Sequence, residues 1–289
     1  GGVDDEGHLA DFSSRGMTTW ELPDGYGRVK PDVLTYGHRV PGLSLQGACR
    51  HLSGTSVACP VVAGAIALLV SIVPEPRRWQ LLNPAVIKQV LTQTAHKLHH
   101  RSAYEQGAGT MDLLGAAQLI TDYVPHASVL PSTLDLSPCT PHGQWMPGNA
   151  DSGDGYMWPH CAQALYHGAM PLLLNLTVLN GVAVRSKVSD PGPSFVAADD
   201  QHNRLLSLTF EHAPSLWPWG GTLGVAISVT SDASDFEGLV TGEIRFELEA
   251  QGGLHDGTVS ELIIPLTVRI VPTPPRSKRL LFDQWHSVN

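Results

Sequence analysis

Ser53-Gly54-Thr55-Ser56-Val57-Ala58-Cys59-Pro60 runs without interruption into an apolar stretch that continues to Val73. A serine in the first turn of a helix has a main-chain N–H with no acceptor inside the helix, and it sits at the positive end of the macrodipole. Negative charge forming beside it is stabilised, and one preorganised donor of this kind lowers an acyl-transfer barrier by about 3 to 4 kcal/mol. Ser56 is therefore the candidate nucleophile, its own amide the candidate oxyanion donor, and acyl transfer the indicated chemistry. Its neighbours support it: Gly54 removes a side chain where another backbone must approach, Thr55 lies between the two, and Pro60 stands near the helix start, where its missing N–H costs little. The competing reading is that Gly-Thr-Ser only caps a core helix, since Ser and Thr are favoured N-caps in any protein.

The full string G-T-S-x-A-x-P, feeding a long apolar helix, resembles the signature around the nucleophile of the subtilase family. Asp11-Phe12-Ser13-Ser14-Arg15-Gly16 resembles that family's F-S-S-x-G turn and Lys30-Pro31-Asp32-Val33-Leu34 its K-P-D strand. Thr94-Ala95, Gly107-Ala108-Gly109 and Met111-Asp112 resemble the last helix and closing G-x-G segment, all in the family's order. The resemblance implies a subtilisin-like serine endopeptidase acting on protein or peptide substrates, with Ser56 attacking the scissile carbonyl. Trp20-Glu21-Leu22-Pro23, Thr35-Tyr36-Gly37, Tyr156-Met157-Trp158-Pro159, Leu216-Trp217-Pro218-Trp219 and Pro272-Thr273-Pro274-Pro275-Arg276-Ser277-Lys278-Arg279 narrow it to one branch. That branch is membrane-anchored, works in the lumen of the endoplasmic reticulum and Golgi, and cleaves membrane-anchored transcription factor precursors after Arg-containing motifs. The anchor so implied is expected outside this chain.

Subtilases run in the order Asp, His, Ser. None of His8, His38 and His51, nor of Asp4, Asp5, Asp11, Asp24 and Asp32, stands in a D-[ST]-G or H-G-[ST] context, and no asparagine precedes Asn83. The resemblance therefore places the base, its orienter and the oxyanion asparagine before Gly1. The chain is expected to be a fragment beginning in the last third of a catalytic domain and to be silent alone, because only binding and oxyanion stabilisation survive without the triad. An inactive truncated product or pseudoenzyme, whose β domain binds or stabilises a partner, is the alternative. No cofactor or metal motif is visible, and calcium enters only through the family resemblance.

The elements that must position Ser56 follow from periodicity. Residues 32–36 read as a buried strand, 57–73 as a buried central helix and 83–98 as a second helix with Pro84 in its first turn and Val86, Ile87, Val90 and Leu91 at helical spacing. The 57–73 stretch is short for a bilayer span and is interrupted by Pro60. Beyond Tyr123 the period changes to two, with strands predicted at 172–179, 205–210, 222–229, 242–248 and 262–271. The fold class expected is α/β: residues 1–123 as the C-terminal part of a subtilisin-like parallel-sheet domain, 124–275 as a β-sandwich and 276–289 as an extended basic tail. A length of 289 residues and a 42% hydrophobic share suit two cores. A net charge of −9 repels phosphate backbones and argues against nucleic acid.

Other residues carry weaker signals. Cys59 stands where the family commonly has Ser or Thr and is expected to pack against the sheet. In the oxidising lumen that the resemblance implies, Cys139 and Cys161 are expected to form a disulfide across a long loop at 140–155. Asn175-Leu176-Thr177 is a glycosylation sequon inside a predicted strand, usable if Asn175 faces solvent. His96, His99 and His100 read as helix-end residues favouring the dipole. Trp217 and Trp219 read as part of the core or lid of the sandwich.

Overall fold

The computed structural model describes residues 1–16, 28–45, 47–99, 101, 103–137, 165–253 and 256–273. The 140–155 loop, the basic tail, His100, Cys139 and Cys161 lie outside them.

The first part is built around helices. β1 (Gly2–Val3) pairs in parallel with β2 (Thr35–Tyr36), and β3 (Val40–Leu43) forms an antiparallel hairpin with β4 (Cys49–Leu52). The strand predicted at 32–36 is shortened to its last two residues. The main chain of Asp32 and Leu34 is taken up on its other side by residues 108–111, with Leu34 N donating to Gly109 O and Met111 N to Leu34 O, both at 2.8 Å.

Helix α1 (Thr55–Ile72) leads to α2 (Glu75–Leu81), α3 (Pro84–Thr94), α4 (Ala103–Gln106) and α5 (Leu113–Thr121). Asn83 caps α3, its side chain accepting from Val86 N at 2.9 Å, and Pro84 takes the position where no N–H is needed. The helix stops at Thr94, short of the predicted Leu98, because Ala95 turns extended and His96 exchanges main-chain hydrogen bonds with Thr110. Asp112 caps α5 through Gly115 N at 2.9 Å. Leu69, Val73, Leu81, Val86, Val90, Ala116 and Ile120 close the core between these helices.

The second part is a β-sandwich. One sheet has the order β10 (Leu206–His212), β12 (Gly221–Val229), β7 (Leu172–Asn180), β5 (Ala127–Leu130), antiparallel throughout. The other runs β11 (Ser215–Leu216), β8 (Arg185–Val188), β13 (Gly238–Gln251), β14 (Val259–Ile270), β6 (Leu134–Leu136), with β9 (Ser194–Ala197) also on β13. Leu172, Leu174, Leu176 and Val178 on β7 meet Ile244, Phe246, Leu262, Ile264 and Leu266 of the facing sheet in one core. Strict alternation of buried and outward residues produces it.

The two parts meet through α3. Gln89, 1% exposed, donates through Nε2 to His126 O at 2.9 Å and Ser128 Oγ at 2.8 Å, and its Oε1 accepts from Tyr123 Oη at 3.0 Å. Asn83 Nδ2 donates to Gly181 O at 2.9 Å. A Cβ on Gly181 would lie 2.5 Å from Gln89 Oε1 and 2.6 Å from His126 O, so the turn after β7 approaches α3 as closely as a glycine allows.

Candidate active site at the mouth of the apolar helix

Gly54 is the N-cap of α1, with φ 150° and ψ 157°, and no side chain caps the helix. The Ser53 hydroxyl is engaged elsewhere, accepting from Arg39 N at 2.9 Å, while Thr55 and Ser56 are exposed. The capping reading requires a Ser or Thr oxygen on a first-turn amide, and that bond is not made. Gly54 N donates to Gly37 O at 2.8 Å, and Gly54 O accepts from Val57 N and Ala58 N, which fixes the turn. Ser56 N meets no acceptor among the described residues. The position of Gly54 admits no side chain: its φ is one that L residues rarely adopt, and a Cβ there would lie 3.1 Å from Ser56 Oγ.

Pro60 differs from its expected place. It lies inside α1, in the second turn. The N–H it lacks is the one that would bond the Ser56 carbonyl, four residues back, and its ring crowds that carbonyl. Pro60 therefore loosens the first turn around Ser56 from the carbonyl side, while Gly54 opens it from the hydroxyl side.

The burial expected for this helix is not met. Only Ala58, Ala65 and Leu69 are buried, whereas Leu68 is 57% and Ile72 45% exposed. Cys59 is exposed as well, not packed against a sheet. By length and composition α1 could cross a bilayer, but its packing on β2 and α5 holds it in the first, helical part. The sequence demands apolar cover for this helix, and the described residues supply it on one face only.

No histidine or carboxylate among the described residues hydrogen-bonds to Ser56. His96 and Asp112 do pair, Nε2 to Oδ2 at 3.2 Å, but the aspartate serves as the cap of α5. The Gly115 amide, and then His96, hold its carboxyl below the usual range. Asp4, Glu6 and His8 are close enough together to share a metal ion. That donor set does not fit calcium, which takes oxygen ligands, because His8 offers an imidazole nitrogen.

The remaining sequence candidates separate. Asn175 lies on the outer face of β7, half-buried and opposite Gly224, with buried Leu174 and Leu176 on either side pointing inward. Trp217 and Trp219 are 66% and 59% exposed and stack on each other with ring centroids 6.2 Å apart, so they are neither core nor lid. Gln89 was missed. The available signal was its place between Val86 and Val90 on the inward face of α3.

An exposed hydroxyl and an amide without an acceptor among the described residues lie together at the start of α1. The chain carries part of a subtilase domain: residues 1–109 match the subtilase family model, and residues 130–273 match the third Ig-like domain of MBTPS1. It is 46% identical over its whole length to the mouse membrane-bound transcription factor site-1 protease and 44% to the human one. It is 43% identical to the subtilisin-like protease SBT6.1 of Arabidopsis thaliana. In each case it spans 26% of the relative's length.

Proposed function

We propose that this chain supplies the nucleophile of a serine endopeptidase similar to site-1 protease. Ser56 Oγ forms the new bond to the scissile carbonyl carbon and gives its proton to a histidine base outside the described residues. The carbonyl oxygen takes up the electron pair and is held by the Ser56 amide. Collapse of this intermediate breaks the C–N bond, the amine leaves with the proton, and water then hydrolyses the acyl-enzyme. The carrying observation is the combination at one turn of an exposed hydroxyl, an amide without an acceptor and an N-cap that uses no side chain.

By this reading the isolated chain is silent. Substrates in this reading are membrane-anchored precursors cleaved in the secretory lumen after Arg-containing motifs; the relatives' printed name, membrane-bound transcription factor site-1 protease, supports a membrane-bound transcription factor as the substrate class. In the same compartment Cys139 and Cys161 form a disulfide, and Asn175, facing outward from β7, carries a glycan. The test is peptide hydrolysis by the full-length parent protein against its Ser56→Ala variant. Loss of about a million-fold in kcat is expected from removing such a nucleophile, and unchanged turnover would remove Ser56 from the mechanism.

A further inference from the structure

The β3–β4 hairpin ends at Leu52, shortly before Ser56 in the chain, and none of its strand residues is buried. Its root is fixed by the Arg39 N to Ser53 Oγ and Gly54 N to Gly37 O bonds, and Leu43 and Leu45 at its tip are 91% and 108% exposed. From residue 33 to residue 74 the sequence has no Asp or Glu, in a chain that carries 27 of them. Every cation-capable residue in that span, His38, Arg39, Arg50 and His51, falls on the hairpin or its root, and all are exposed. Neither Arg39 nor Arg50 has a carboxylate partner among the described residues.

We propose that this hairpin is a substrate-selecting edge, on which Arg39 and Arg50 recognise acidic residues of the polypeptide flanking the scissile bond. The proposal deepens, and rests on, the assignment of Ser56 as nucleophile. Three features carry it. The first is charge: a locally cationic edge beside the nucleophile of a chain of net charge −9 attracts an acidic segment and not the rest of the protein. The second is main-chain geometry: β3 and β4 form a two-stranded sheet, so each has an unpaired outer edge among the described residues, and an extended peptide can add there as a strand. The third is reach. Arg50, which pairs across to Gly42, stands about six residues before Ser56, and at about 3.3 Å per residue its backbone lies within about 20 Å of the hydroxyl. A substrate acid up to about six positions from the cleaved bond is then within range of one guanidinium or the other. Because the hairpin lies on one side of Ser56, the preference belongs to one side of the cleaved bond.

The experiment uses the full-length parent and fluorogenic peptides identical except for Asp, Asn or Lys placed in turn on each side of the cleaved bond. The account expects Asp on one side to raise kcat/KM relative to Asn, chiefly through KM, by about three-fold for each arginine engaged and less at high salt. In Arg39→Gln and Arg50→Gln the Asp-to-Asn ratio falls toward one, and in Arg50→Glu it inverts in favour of Lys. Anisotropy of the same peptides bound to the Ser56→Ala parent reads the preference without turnover, so a failure of the charge edge is separated from a failure of Ser56. A ratio of one at every position in the parent, or a preference that survives in the Arg39→Gln/Arg50→Gln double variant, overturns the proposal.

Discussion

The two cores of this chain are finished to different degrees. In the sandwich each long strand buries alternate side chains against a facing sheet, and Ile227, Ile244 and Val268 are wholly inaccessible. Helix α1 is more apolar than any of those strands need be, yet it buries three residues and leaves Leu68 and Ile72 in the open. A sheet that closes on its own partner is self-sufficient. A helix with the proposed nucleophile at one end and bare apolar surface along its side is expected to share its core with residues beyond those described. Chemistry and incomplete packing thus coincide, while the completed part braces the site from outside through Gln89 and Asn83.

The largest effect expected of a single substitution near the site, after loss of the nucleophile, is at Gly54. Gly54→Ala forces a side chain into a φ of 150° and against Ser56 Oγ. A displacement of about 1 Å at the hydroxyl lowers kcat about a hundred-fold. Steady-state kinetics of the parent check it, and circular dichroism confirms that the sandwich is unaffected.

The contrast between the cores sharpens next. Ile244→Ala removes a large buried side chain from the sandwich and is expected to cost about 2 to 5 kcal/mol in urea unfolding of that part. Leu68→Ala, on the exposed side of α1, is expected within about 0.5 kcal/mol when this chain is unfolded alone. A larger cost is expected in the full-length parent if residues beyond those described cover the helix. Equal small effects in both settings would mean that nothing covers α1.

The smaller effects concern the brace. Gln89→Leu leaves Tyr123 Oη, Ser128 Oγ and the His126 carbonyl without their buried partner, a loss of about 1 to 3 kcal/mol. Burial pushes the Tyr123 hydroxyl up from 10.0 to about 12. A group whose folded value is raised gives stability that is complete below the unfolded value and is lost as pH climbs through the folded one. Alkaline titration should therefore weaken the junction between pH 10.0 and about 12, and Tyr123→Phe should remove that step from the unfolding profile.

Much of this architecture was legible in the residues. The sandwich strands declared themselves because burial of one face writes a period of two, and β7, β10, β12, β13 and β14 all overlap the predicted runs. The placement of Ser56 and Gly54 at a helix start was legible because the G-T-S string leads straight into an apolar run. The hairpin escaped prediction: Pro41 and Gly42 sit in β3, and a strand with no buried residue leaves no clear hydrophobic alternation. The burial of α1 was misjudged because composition records a need for cover, not which residues provide it. Gln89 reads as a surface residue by type, and only its register with Val86 and Val90 betrays an inward position. Trp217 and Trp219 were assigned inward by type, and their outward stacking depends on the turn closed by Gly220 N on Trp217 O at 3.1 Å.

The most direct test of the central claim is to treat the full-length parent with a fluorophosphonate and locate the adduct by peptide mass spectrometry. The account predicts a single phosphonylated residue, Ser56, in the peptide that also carries Gly54 and Pro60, and no adduct in the parent bearing Ser56→Ala. An adduct on any other serine, or undiminished labelling of the variant, would contradict it.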